Sequence, residues 1–92
     1  MYHVIDLHLT SEIINSPYYQ VEDSLRIQLD MCEKGINDAL IKGIHELWVI
    51  HGIGEGVLKR EVHKMLKDYP HIKEFSNIYH PQFGWGATKI IF

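Results

Sequence analysis

Residues 47–56 impose the strongest constraint on this chain. A continuous apolar run, Leu47-Trp48-Val49-Ile50, passes directly into His51-Gly52-Ile53-Gly54-Glu55-Gly56. Four apolar residues in a row suit a strand buried on both faces. Glycines at alternate positions then let the backbone turn sharply and expose its N–H groups. An amphipathic stretch follows at once. Leu58, Val62, Met65, Leu66 and Tyr69 share one helical face, basic residues occupy the other, and Pro70 stops the helix. The segment predicts strand, glycine turn and helix in immediate succession, the repeating unit of an α/β fold.

The rest of the chain extends that pattern. Tyr2 to His8 reads as a short first strand, and Thr10 to Ser16 as irregular chain. Ser16-Pro17 has the form of a helix start, with Ser as N-cap and Pro at the first helical position. Val21, Leu25, Leu29, Cys32, Ile36 and Leu40 then form one apolar stripe on a long helix. Gly35 weakens that helix by about 1 kcal/mol relative to Ala, and Gly43 is a natural C-terminal stop. Ile72 to Tyr79 reads as a third strand. Its mixed composition, with Lys73, Glu74, Ser76 and Asn77, places it at a sheet edge. Residues 80–86 form a loop, and Ala87 to Phe92 an apolar, interior last strand. The order is βαβαββ. Right-handed crossovers put both helices on one face of the sheet, giving a two-layer sandwich. The whole chain, residues 1–92, reads as one domain. Strands that begin at residue 2 and end at residue 92 suggest a unit taken from a longer protein.

Charge and cysteine content narrow the function classes. The net charge is −3, unevenly spread. Residues 1–46 carry three Lys or Arg against eight Asp or Glu, and residues 47–92 six against four. Lys59, Arg60, Lys64 and Lys67 crowd the second helix, so a polyanion would bind there; Glu61 and Asp68 among them also fit a plain solvated face. The single cysteine, Cys32, excludes an intrachain disulfide and a Cys-based zinc cage. No stretch reaches the roughly 20 apolar residues of a membrane span, and the N-terminus lacks the basic region of a signal peptide. A cytoplasmic protein with no membrane partner is expected.

Strands 1 and 2 should be parallel neighbours, because one helical crossover joins them. Their C-terminal ends then bring Asp6, His8 and His51 to one place, where ligands of open α/β sheets bind. Two histidines and a carboxylate suit general acid–base chemistry near neutral pH. The same three residues also fit ordinary hydrogen-bonded roles at strand ends. Gly52, Gly54 and Gly56 lead into a helix N-terminus, a setting that favours phosphate, with Lys59 and Arg60 placed to hold its oxygens. A tight strand-to-helix turn is the plain alternative. His3, His45, His63, His71 and His80 lack paired spacing and read as surface residues, with His63 on the basic side of the second helix. Phe83 and Trp85 flank Gly84 near the same sheet end. Exposed, they would stack on unpaired bases; folded back, Trp85 would join the core, as Trp48 is expected to do.

Taken together, three motifs resemble the Smr (small MutS-related) domain: Asp6-Leu7-His8-Leu9, His51-Gly52-Ile53-Gly54-Glu55-Gly56 and Gly84-Trp85-Gly86-Ala87-Thr88. The resemblance covers nearly the whole chain in the right order. The intervening segments are similar to the C-terminal Smr segment of a larger Bacteroidetes type of protein. The resemblance implies a fold similar to the C-terminal domain of translation initiation factor 3, with sheet order 1-2-4-3 and strand 4 antiparallel. It also implies DNA nicking or RNA cleavage that depends on Asp6 and His8, with nucleic-acid contact through the glycine loop and the Gly84-Trp85-Gly86 segment. Two departures stand out. Leu9 replaces the family's glycine, and Ile53 and Glu55 replace its usual Lys and Thr, which weakens phosphate attraction at the loop.

Three functions compete at this level. The first is an endonuclease in which Asp6 orients His8, His8 and His51 handle protons, and Lys59, Arg60 and Lys64 hold the backbone. RNA supplies its own 2′-hydroxyl nucleophile, whereas DNA nicking calls for a divalent ion such as Mg2+ on Asp6. The second is a non-catalytic module that binds DNA, RNA or the ribosome. The third is an interaction domain serving the remainder of a longer chain.

Overall fold

The computed structural model describes residues 3–92. Four strands form one mixed sheet in the order β1-β2-β4-β3. β1 is His3–Asp6, β2 Glu46–Ile50, β3 Glu74–Asn77 and β4 Ala87–Ile91. β1 and β2 are parallel, with Asp6 opposite Ile50. β4 runs antiparallel to both its neighbours, pairing Thr88 with Val49 on one side and with Asn77 on the other. The apolar last strand is therefore interior and the mixed third strand lies at the edge, as their compositions require.

Helices α1 (Ser11–Ile14), α2 (Ser24–Ile41) and α3 (Val57–Leu66) complete the fold. α2 and α3 cover one face of the sheet. There Leu7, Cys32, Ile36, Leu47, Val49, Val62, Leu66 and Ile90 form the main core. Each strand alternates, so Trp48, Ile50 and Ala87 point to the opposite face, where Phe83 of the 80–86 loop packs on them. Trp48 is thus a core residue, as expected. His80 also reaches this cluster, with its ring edge-on to Trp48 at 4.7 Å between centroids.

The first long helix does not begin at Ser16-Pro17. The Ser16 hydroxyl accepts from the Tyr18 N–H at 3.3 Å and its carbonyl from Tyr19 N–H at 3.1 Å, which closes a turn. The chain then extends at Gln20 and re-enters through a short 3-10 turn, Val21–Asp23. A Ser-Pro pair opens turns as readily as helices, and Val21, the first member of the apolar stripe, is 70% exposed, so nothing buried holds the chain helical before Ser24. Within the stretch expected to be irregular, Ser11–Ile14 forms one helical turn capped by the Thr10 hydroxyl.

Smaller differences concern strand ends. β1 stops at Asp6 rather than His8, although the Leu7 N–H still bonds the Ile50 carbonyl at 2.9 Å; Tyr2 lies outside the described residues. β3 is four residues long, shorter than the run from Ile72 to Tyr79.

Gly35 proves to be more than a weak point in α2. A Cβ there would stand 2.0 Å from Ile5 Cδ1, so the bare backbone is the seat on which β1 packs against the helix. Gly43 ends α2 with φ +69°, and bonds from Gly43 N–H to Leu40 O and Ile44 N–H to Ala39 O close a Schellman motif.

Candidate functional site

The ends of β1 and β2 stand side by side, and the turn after β1 is organised by Asp6. Its Oδ1 accepts the backbone N–H of His8 at 2.9 Å and lies 2.5 Å from His8 Nδ1. A carboxylate only accepts, so hydrogen-bond logic assigns the proton to Nδ1 and leaves Nε2 with its lone pair. Both side chains are exposed to solvent. His8 Nε2 lies 3.4 Å from where a Cβ on Gly52 would be. The imidazole therefore leans over the first glycine of the loop, and the structure brings Asp6, His8 and Gly52 together.

The loop itself depends on glycine geometry. Gly52, Gly54 and Gly56 all have positive φ, at +79°, +39° and +82°. Gly86, the residue before β4, anchors it. Its carbonyl accepts from the N–H groups of both His51 and Gly52 at 3.0 Å. A Cβ on Gly86 would stand 3.0 Å from the Gly52 Cα. Gly86 is thus buried backbone that lets the second and third motifs touch.

A cavity of about 330 Å³ opens where the loop meets α3, bounded by Gln28, the loop backbone, Leu58 and Lys59. Val57, Leu58 and Lys59, the first residues of α3, line it; Arg60 is the residue whose N–H bonds back to Gly56 O. Gln28 closes the side of the cavity and donates to the Leu7 carbonyl at 2.9 Å, which ties α2 to the end of β1. The Arg60 guanidinium bends back toward the Glu55 carbonyl at 3.4 Å. Lys59 is half-buried at the cavity wall, while Lys64 is exposed one turn further along. Ile53 and Glu55, the two departures in the loop, are both exposed. A second cavity of about 350 Å³, near Ile13, Tyr18, Tyr19 and Ile27, lies away from these groups.

His51 faces the helical side of the sheet and is 8% exposed. Its Nδ1 lies 2.8 Å from the Gly52 carbonyl and its Nε2 2.8 Å from the Thr88 hydroxyl. Thr88 is also reached by His63 Nε2 at 2.7 Å. A carbonyl accepts, so Nδ1 of His51 donates to it. Nε2 then accepts the Thr88 proton, and the Thr88 oxygen accepts from His63. With both imidazoles neutral, the three side chains form a directional chain. Burial pushes both histidines below the ordinary imidazole range. For His51 the Gly52 carbonyl opposes this and the charge of Lys59 adds to it; for His63 the neighbouring His51, Lys59 and Lys67 add to it. The structure does not bring the His51 ring onto Asp6 or His8; it puts it beneath the glycine loop.

Two histidines differ from their surface reading. His63 is half-buried between the His51 ring and Phe75, whose ring centroid is 5.2 Å away. His80 is 2% exposed, and its Nδ1 accepts from the N–H groups of Gln82 and Phe83. His3, His45 and His71 are exposed as expected. Thr88 and Gln28 were not legible as site residues, although Thr88 belongs to the third motif and shares a face of β4 with buried Ile90. Phe83 packs on the sheet, whereas Trp85 is exposed.

Among known proteins, the family model described as Smr domain matches residues 25–92. The chain is 46% identical over 55 residues to the endonuclease MutS2 of Solidesulfovibrio magneticus, covering 60% of this chain and 7% of that protein. It is 40% identical over 70 residues to the endonuclease MutS2 of Brevibacillus brevis, covering 76% and 8%. The chain thus spans less than a tenth of the length of these relatives. Among solved structures, the Smr domain of Thermus thermophilus MutS2 superposes with a TM-score of 0.73 at 20% identity, over 97% of this chain and 95% of that one.

Proposed function

The chain belongs to the Smr domain family, and from that premise we propose that it binds nucleic acid and cleaves its phosphodiester backbone at Asp6 and His8. The observation that carries this reading is the pairing of His8 Nδ1 with Asp6 Oδ1 at 2.5 Å, above a glycine that leaves room for the ring. With Nδ1 committed to the carboxylate, Nε2 is the base. It takes the proton of the attacking oxygen, the 2′-hydroxyl in RNA or a water on DNA, as that oxygen bonds to phosphorus. The 5′-oxygen departs with the electron pair of the broken P–O bond and takes its proton from solvent. Asp6 stabilises the imidazolium that forms. The phosphate lies against the loop N–H groups and the start of α3, with Lys59 and Arg60 beside it.

His51 serves this site through the loop. Its bond to the Gly52 carbonyl and its tie to Thr88 hold the backbone that receives the phosphate. Among the described residues no three His, Cys, Asp or Glu side chains cluster as a metal cage. Asp6 alone suits a magnesium ion that takes its other ligands from phosphate oxygens and water; such an ion would neutralise developing charge.

The exposed Glu55 carboxylate in the loop favours a second reading, a nucleic-acid or ribosome-binding module that has lost turnover. Among the described residues no helix is long and apolar enough to cross a membrane. One assay separates the readings. The purified protein is incubated with labelled single-stranded RNA and with supercoiled plasmid, with and without magnesium, beside Asp6→Asn and His8→Ala. Cleavage that falls about 10²–10⁴-fold in His8→Ala supports the nuclease. Binding with no turnover in the parent supports the second reading, and cleavage unchanged in both variants refutes the assigned site.

A further inference from the structure

The 80–86 loop carries a feature that the proposed chemistry does not use. Trp85 is 57% exposed, in contrast to Trp48 at 7%. It is not a loosely held side chain. Tyr79 meets its ring nearly edge-on, at 5.7 Å between centroids and 72° between planes. The backbone beneath is clamped. Asn77 donates to the Trp85 carbonyl at 2.8 Å and to the Ala87 carbonyl at 2.6 Å. Gly84, with φ +58°, closes a bridge with His80 through paired bonds of 2.8 Å. A large aromatic ring kept in water by a built scaffold gives up apolar burial that a small domain could have used.

Its position says what it is for. The next residue, Gly86, touches Gly52, and Gly52 carries His8 above it. The sheet order sets β1 and β4 on either side of β2. The Trp85 backbone therefore stands about two strand spacings, or 10 Å, from that of His8. At the 3.4 Å spacing of a stacked strand this is about three nucleotides. A backbone that lays its phosphate on the glycine loop beside Lys59 and Arg60 carries its bases past this ring.

We propose that Trp85, braced by Tyr79, is a stacking platform for an unpaired base about three nucleotides from the cleaved phosphate, so that the domain prefers single-stranded or locally opened nucleic acid. This deepens the nucleic-acid reading of the site and rests on it. Stacking requires an exposed base face, which a duplex withholds. Because every base has such a face, the platform discriminates strand state and not sequence.

The test uses His8→Ala, expected to bind without turnover, and four probes: single-stranded RNA, single-stranded DNA, the matching duplexes, and strands with one abasic position moved along the sequence. Tryptophan emission is the direct readout, since Trp48 is buried. The platform requires quenching by single strands of either sugar, weaker quenching by duplex, and one abasic position at which quenching is lost. Trp85→Ala should weaken single-strand binding between about fivefold and about a hundredfold, and Trp85→Phe less. Unchanged thermal midpoints in both variants establish that the fold is intact. Tight binding of all four probes with emission and affinity indifferent to Trp85 overturns the platform while leaving the nucleic-acid reading in place. Binding of none of the probes overturns both. Capture of a protein by this patch with no response to oligonucleotides also overturns it.

Discussion

His51 Nε2 stands 2.8 Å from the Thr88 hydroxyl, a pair separated by 37 positions in the chain. With His63 on the other side of Thr88 at 2.7 Å, the chain of bonds is satisfied with both imidazoles neutral. Protonating His51 would reverse that order, with its Nε2 donating to Thr88 and the Thr88 proton turning to His63. Both histidines are held below the usual value of 6.5 by burial, so the folded protein binds fewer protons than the unfolded chain. Stability is complete above that value and declines as pH falls through it toward the depressed folded values. The urea midpoint should therefore drop between about pH 7.5 and about pH 5. Thr88→Val, which orphans a donor and an acceptor, should cost about 1–3 kcal/mol at neutral pH. A midpoint that stays flat over this range would contradict the neutral chain.

Gly86→Ala should damage the site through backbone displacement. The new Cβ would meet the Gly52 Cα at 3.0 Å and its carbonyl carbon at 3.2 Å, and neither atom is free to swing aside. The expected cost is about 1–3 kcal/mol in urea unfolding. The loop that receives phosphate also moves, so nucleic-acid affinity should fall at temperatures where the variant is still fully folded. Parental affinity in a folded Gly86→Ala protein would show that the contact between the two motifs is not needed for binding.

Lys59 and Arg60 flank the α3 N-terminus and should supply the salt-sensitive part of binding. For a single strand each neutralised phosphate contributes about −0.7 to the slope of log K against log salt. Replacing both with Glu should weaken binding and flatten that slope together. His8→Ala should alter neither, because it removes a proton-transfer group and no fixed charge. A salt titration with the same slope in parent and double variant would reduce this helix face to a solvated surface.

Cys32 should be chemically silent in the folded protein. It is fully buried on α2, and burial together with the nearby Glu33 pushes its thiol up to about 12. An aromatic disulfide reagent at about pH 8 should label it only after urea unfolding, since the thiolate is the reactive form. Rapid labelling without denaturant would mean that α2 opens away from the sheet.

Much of the architecture could be read before any coordinates. The apolar content of Ala87 to Phe92 against the mixed 72–79 segment reports how many faces of each strand are covered, and this places β4 inside and β3 at the edge. The single crossover between the first two strands makes them parallel, which puts Asp6 and His8 next to Gly52. Alternate glycines before an amphipathic stretch specify a turn with positive φ, as observed at Gly52, Gly54 and Gly56. These are local properties. Periodicity, turn chemistry and connection length are all written within a few residues of where they act.

Long-range register decided the rest. Because Thr88 pairs with Val49, its side chain falls on the helical face beside His51, two residues along the same strand direction. No local pattern marks that meeting. His63 and His80 read as surface residues because nothing beside them in sequence announces Phe75 and Trp48, the rings that cover them. Ser16-Pro17 carries a helix signal that the exposed Val21 fails to support with burial. Gly35 and Gly86 look like weak points in a helix and a loop, and each is a place where another chain segment comes within a methyl group's reach. The four strands, the two long helices, their order and the glycine turn follow from local backbone preference and apolar spacing. Which histidine meets solvent and which supports the loop follows from packing, because burial and hydrogen-bond partnership belong to pairs of segments.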